Sequence, residues 1–386
     1  MVLAKGPLVL SVIQAALDYR TQDLKLPVPN HFGRRLQDRG AIRWIEFAHT
    51  PYFSHLGYAR MLLTASQRAG DTENGVLLYF INDHVRANGA LQERAIPMLR
   101  DGRWVKSPPR FGVSKKDSDR PLCTVPSPVP QNLALAHQLT REILSYEASS
   151  LPGHQRKPAL AQLQPLFDWL SEQAVEVENL SQWVTRCWLQ LLAQAHPETV
   201  VLALPSRKLC QIFPEAVEKL ASQSAEVGRI QNRWAQQSGE WPEWSQMRRV
   251  SDQYFPFQGL CPICRDLVEL PYHHKCAGLE WVPRVVARQP LADLLGLESR
   301  VCGGIRGYWG AAEEISREVL GLNPPPRVSL TGQVLLQTPR GIERGASTLR
   351  VLAQLPWQEL SRQLAHCEDS QDVSVKIDFG NKREGG

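Results

Sequence analysis

No apolar run in this 386-residue chain approaches the roughly 20 residues that a membrane span needs, so no membrane association is expected. Met1 to Ala16 holds an apolar patch, Pro7 to Ala15, but Gln14 interrupts it and no small-residue cleavage site follows, so no secretion signal is read there. Internal repeats and heptad arrays are missing, which argues against solenoids and coiled coils. A net charge of +5 lacks the dense basic stripe of a strong nucleic-acid binder. The basic clusters at Lys106 to Lys116 and Arg248-Arg249 read as solvated surface. Eight cysteines, with one close pair and the rest scattered, do not form a secreted disulfide framework. They suit a reduced compartment and one metal site, and a cytoplasmic location is expected.

What remains is the composition of a soluble globular protein, 43% hydrophobic and 22% charged, long enough for two or three domains. Its most informative stretch runs from Trp44 to Gly57: a buried strand, a loop bearing Pro51, and a helix that opens on His55-Leu56-Gly57. Such a start places an imidazole and a close-approaching backbone at a helix N-terminus, where amide donors and the helix dipole favour a phosphate. Ser54 would cap the helix equally well with no ligand involved. A second strand, Val76 to Ile81, ends in Asn82-Asp83-His84. Strand, helix and strand make a crossover whose polar carboxyl edge is the usual ligand site of a parallel sheet.

Beyond it the chain divides into four parts. Residues 1–130 hold the first half of a nucleotide-binding core and end in a proline-rich connection. Residues 131–250 read as a mostly helical insertion, with Leu135, Leu139 and Ile143 on one helix face and Leu163, Leu166, Phe167 and Leu170 on another. A strand-like run, Thr199 to Leu204, interrupts these helices and rejoins the sheet. Residues 251–290 form a cysteine and histidine lobe, and residues 291–386 return to α/β patterning. There Gly310 to Leu320 reads as a helix ended by Gly321, and Val328 to Leu336 as a short hairpin around Thr331-Gly332.

In the lobe, Cys261-Pro262-Ile263-Cys264 precedes His273-His274 by eight residues, and Cys276 follows. A Cys-x-x-Cys turn lets two thiolates chelate one ion, and a second His/Cys pair completes the tetrahedral set zinc prefers. The expected ligands are Cys261, Cys264, Cys276 and one of the two histidines, His274 ahead of His273, with Cys302 in reserve should a histidine not serve. A closed four-ligand zinc site is structural and stabilises a lobe with little core of its own. The alternative is four residues with no metal at all.

In order along the chain, these pieces resemble the catalytic half of class I aminoacyl-tRNA synthetases, most closely class I lysyl-tRNA synthetase, from about Arg43 to Leu352. Thr50 to Tyr58 sits where that family has its His-Ile-Gly-His signature, and Asn82 to Arg86 is similar to its acidic loop. Pro121 to Pro128, Tyr254 to Phe257 leading into Cys261-Pro262-Ile263-Cys264, Leu279-Glu280-Trp281, and Gly307 to Val319 with Pro324-Pro325-Pro326 follow in the family's order. The resemblance implies an α/β fold: a Rossmann-type (HUP) parallel sheet with a helical insertion and a small zinc-binding lobe. It implies ATP and Zn2+ as cofactors and formation of an aminoacyl-adenylate. Ser54, His55, Gly57, Tyr58 and Asp83 would then contact ATP or the amino acid, with His55 stabilising charge as pyrophosphate leaves. Asp83 would bind the ammonium or the ribose.

The family's second signature, a flexible Lys-Met-Ser-Lys-Ser loop, falls near Leu335 to Gly341, where only Arg340 stands in for a lysine. Ahead of the last crossover, Arg300 or Arg306 would have to reach a phosphate. Each lost donor to a developing charge typically lowers rate on the order of 10²- to 10³-fold. No helical anticodon-binding domain is expected after the second signature. These departures point to an amino-acid-activating ligase whose acceptor is a tRNA acceptor end or a small molecule. The alternative is an inactive paralogue that binds ligand or RNA. A third reading takes Trp241, Trp244, Tyr254, Phe255 and Phe257, near Arg248 and Arg249, as a base-stacking surface.

Overall fold

A computed structural model of the chain describes residues 5–36, 42–51, 53, 55–87, 97–100, 103–106, 111, 113–114, 117, 119–241, 246–261, 263–270, 285–287, 292–295, 297–302, 306–330, 333–338, 341–344, 346–365 and 372–377. Its centre is a parallel sheet of five strands: β1 (Arg43–His49), β2 (Gly75–Ile81), β3 (Val200–Pro205), β4 (Ser299–Cys302) and β5 (Arg327–Ser329). Their spatial order is β5-β4-β1-β2-β3, so the chain reverses direction across the sheet between β1 and β4. The architecture is α/β with a Rossmann-like parallel sheet, and the reversal point is where such sheets open a crevice at their carboxyl edge.

The strands form because period-two alternation supplies apolar side chains to both faces, as a fully covered parallel sheet requires. Ile45, Phe47, Leu77, Tyr79, Val201 and Val301 enter one core. Trp44, Val76, Leu78, Phe80, Val200 and Leu202 enter the other. The first core is closed by α2 (Leu56–Asp71) and α5 (Leu180–Ala195). The second is closed by α1 (Lys5–Asp18), α6 (Ser206–Ile212), α7 (Pro214–Ser222), α8 (Ser224–Gln237) and the end of α9 (Arg306–Ile315). The two crossover helices, α2 and α9, therefore pack on opposite faces. Helix α9 runs on through a π-turn to Leu320 and stops at Gly321, whose φ of +73° is the left-handed cap read from the sequence.

The segment 130–195 carries α3 (Pro130–Ala148), α4 (Leu163–Val175) and α5, the last started by a reciprocal Asn179–Gln182 capping box. In α4, Leu163, Phe167 and Leu170 are buried as expected. In α3 the expected face holds only in part: Ile143 is buried and Leu139 half-buried, but Leu135 is 56% exposed, and Leu133, Ala136, Thr140 and Leu144 are the other residues turned inward. Both sets have helical spacing, and packing against α4, with His137 edge-on to Phe167, selects the second.

The expected hairpin across Val328 to Leu336 is also corrected. Arg327–Ser329 pairs in parallel with the free edge of β4, while Val334–Thr338 pairs antiparallel with Gly341–Arg344 and parallel with Val373–Lys376 in a separate small sheet. A third sheet, antiparallel, joins Phe257–Leu260 to Leu267–Glu269 and Val285–Ala287.

Candidate functional site

At the carboxyl end of β1 the chain leaves the sheet through His49 and Thr50 and enters α2 at His55. His55 is the N-cap residue, extended at φ −64° and ψ 158°, and is solvent-exposed. Its imidazole lies over Gly57: a Cβ added there would sit 2.8 Å from Nδ1 and 3.0 Å from Cε1. Glycine at this position is what lets the ring fold across the first turn of a 16-residue helix, beside the amides that carry its positive end. The Leu56 amide donates to the Ala346 carbonyl at 2.9 Å, and His55 bridges to Ser347. The C-terminal part of the chain thus borders the site.

His49 packs on Phe47, stacked at 5.9 Å, and edge-on against Tyr58 at 4.8 Å. Burial pushes its pKa from 6.5 down to about 4; the hydrogen bond to the Thr50 carbonyl opposes this, and the neighbouring His55 adds to it. A neutral imidazole and an exposed one therefore stand at the same strand end. Tyr58, expected to contact nucleotide, is fully buried, and its hydroxyl bonds that of Tyr79 at 2.5 Å. The sheet-facing side of α2 includes Leu56, Tyr58, Ala59 and Leu62, so the helical period itself turns Tyr58 inward.

Asp83 lies two residues beyond β2, and Arg207 two beyond β3. Because Ile81 faces Pro205 in the register, the two meet, with Arg207 Nε 3.0 Å from Asp83 Oδ2. Asp83 is 1% exposed. Burial raises its pKa and Arg207 opposes the rise. One carboxylate oxygen is thus committed to a guanidinium, which sequence reasoning did not anticipate although both residues follow strand ends. Next to them, Ser206 Oγ lies 3.2 Å from His84 Nδ1. Cys123 donates its amide to the Asp83 carbonyl at 3.0 Å, and burial pushes its thiol up to about 12.

Arg300 does not reach for a phosphate. It is buried and bonds Glu46, its register partner on β1, through Nε at 2.7 Å, with its guanidinium 5.1 Å from the Trp309 ring. The sheet interior captures it, because burying Glu46 on β1 demands a counter-charge on β4. Ser54 and Arg340 lie outside the described residues.

Cys261 and Cys264 sit on the turn between two antiparallel strands, held by Cys261 N–H to Asp266 O and Arg265 N–H to Cys261 O, both 2.9 Å, with Arg265 at φ +61°. Neither forms a disulfide. Cys261 and Cys264 are the two expected ligands among the described residues, while His274 and Cys276 lie outside them. Among the described residues no group of three or more His, Cys, Asp or Glu side chains could hold a metal. Cys302, the reserve ligand, belongs to the central sheet, with its sulfur 3.8 Å from Ser329 Oγ.

Among the described residues, the aromatics named for a base-stacking surface pack inward instead. Phe257 is fully buried, Phe255 and Tyr254 pack onto the core, and Trp241 packs on Trp234; Trp244 lies outside the described residues. Among the described residues no helix is long and apolar enough to cross a membrane. Compared with known proteins, the chain matches no family model and no curated protein.

Proposed function

We propose that the chain binds ATP at the carboxyl edge of its parallel sheet and joins it to an amino acid as an aminoacyl-adenylate. The amino-acid carboxylate attacks the α-phosphorus and pyrophosphate leaves. The nucleophile of a small molecule, or of a tRNA read only at its acceptor end, then takes the acyl group, giving up its proton, and AMP leaves. The observation that carries this reading is the His55 imidazole folded over Gly57 at the N-terminus of α2, beside the point where the strand order reverses. Anionic phosphates are favoured there by the helix dipole, and an exposed imidazole can meet the charge that grows on departing pyrophosphate. Arg340, on the segment after Thr338, and Arg306, at the start of α9, are the remaining cations proposed for this role. A zinc ion held by Cys261, Cys264, His274 and Cys276 would be structural, tying the hairpin turn to the segment after it.

A second reading, a binding or regulatory protein without chemistry, is favoured by one observation. Leu335 to Thr338, where a flexible catalytic loop would be needed, is a strand hydrogen-bonded on both sides. Amino-acid-dependent exchange of pyrophosphate into ATP separates the two, measured on zinc-loaded protein with every standard amino acid, lysine first, and with His55→Ala. Exchange that requires one amino acid and disappears in the variant supports the ligase. Absence of exchange with all of them, in folded protein that ATP still stabilises, leaves the binding protein.

A further inference from the structure

Beside the carboxyl ends of β2 and β3, four buried side-chain oxygens have no hydrogen-bond partner among the described residues: Tyr19 Oη, Asp83 Oδ1, Ser181 Oγ and Thr185 Oγ1. The Tyr19 hydroxyl and Thr185 are neighbours, and Asp83 and Arg207 lie close enough to act on that hydroxyl through their charges. Ser181 is one helical turn before Thr185 on the same side of α5. Helix α5 packs on Leu122–Thr124, whose Cys123 amide is bonded to Asp83. Interiors seldom leave such groups unmatched, because each one destabilises the fold, so a cluster of them marks a place kept for something other than stability.

The backbone that carries Tyr19 is irregular as well. Helix α1 gives way to a π-turn at Tyr19–Asp23, and Lys25 follows in the left-handed region at φ +52° without being glycine. Departures of this kind concentrate at ligand sites. The charge balance restricts what the cluster can take. Asp83 is already neutralised by Arg207 on its other oxygen, so a second cation would face a guanidinium, while the free oxygens suit the N–H or O–H donors of an uncharged group.

We infer that Tyr19, Asp83, Ser181 and Thr185 form the side-chain pocket for the amino acid, and that it selects a neutral hydroxyl or amide side chain over a cationic one. This rests on the adenylation reading above.

The test is thermal melting of the zinc-loaded protein with ATP, adding serine, threonine, asparagine, glutamine or lysine in turn, on the unmodified chain and on Tyr19→Phe and Thr185→Val. The expected result is a further rise with one of the four neutral amino acids and none with lysine. The two variants should melt no lower than the parent, about 1–2 °C higher where an unmatched hydroxyl is removed, yet bind that amino acid at least tenfold more weakly. A shift with lysine alone overturns the pocket, as do variants that melt several degrees lower while keeping the amino-acid shift. A response to ATP without any response to the four neutral amino acids defeats the pocket and spares the nucleotide reading. No response to ATP defeats both.

Discussion

Removing Arg300 should damage the protein more than any surface charge reversal, and the size of the effect follows from where it sits. Arg300 and Glu46 are each about 1% exposed and face each other across β4 and β1, two and three residues short of the carboxyl ends that flank the crevice. Breaking such a pair by deleting one partner leaves a carboxylate uncompensated in the interior and typically costs about 3–5 kcal/mol. At about 2.1 cal/mol/K per residue, the 386-residue chain has an unfolding entropy of roughly 0.8 kcal/mol/K, so Arg300→Met should lower the melting temperature by about 4–6 °C. The double variant Glu46→Leu/Arg300→Met removes the charge with its partner and should recover most of that loss. Differential scanning fluorimetry of these three proteins and of Glu46→Leu alone closes the cycle. Should Arg300→Met melt within about 1 °C of the parent, the pair is not the buried counter-charge described here, and the reasoning fails.

Three further outcomes are expected. The pKa of His49 is lowered in the fold to about 4 from 6.5, so its neutral form stabilises the protein fully above pH 6.5, and that stability is lost as pH falls towards 4. The contribution is up to about 3 kcal/mol, and melting curves between pH 7.5 and 4.5 should show a shallower decline in His49→Gln; an unchanged slope would discount His49. Gly57→Ala forces the His55 ring to move from its 2.8 Å approach while giving the helix a better former, so melting temperature should hold or rise slightly and ATP-induced stabilisation should shrink. An undiminished ATP response would show that the ring's position over Gly57 is irrelevant to binding. Metal analysis of the purified chain should find about one zinc per molecule, falling sharply in Cys264→Ser. Equal zinc content in both would exclude Cys264 as a ligand.

Much of the central sheet was legible in the sequence because strand signals are local. Trp44 to His49, Val76 to Ile81 and Val200 to Leu204 advertise themselves by apolar continuity, and Gly321 by the one conformation that ends its helix. The His55 and Gly57 pair was also local, since three consecutive residues define both the ring and the space it needs. Where a pattern admitted two solutions, the partner surface nearby decided between them: part of the buried face of α3, the pairing of Val328 and its neighbours, and the direction of Tyr58.

Tertiary structure alone decided the rest, because the contacts join residues that no local pattern links. Glu46 meets Arg300 at a separation of 254 residues, Asp83 meets Arg207 at 124, and the Leu56 amide meets the Ala346 carbonyl across most of the chain. A sequence shows that a charge or a polar group will be buried only when its strand is placed in a sheet, and it cannot show which strand comes to lie beside it. The strand order β5-β4-β1-β2-β3 makes that choice here, putting Arg300 under the crevice as a structural counter-charge and gathering Tyr19, Asp83, Ser181 and Thr185 from three distant segments. Hydrophobic periodicity fixed what would be a strand; the burial of charge, satisfied only by a partner across the sheet, fixed which strands could be neighbours.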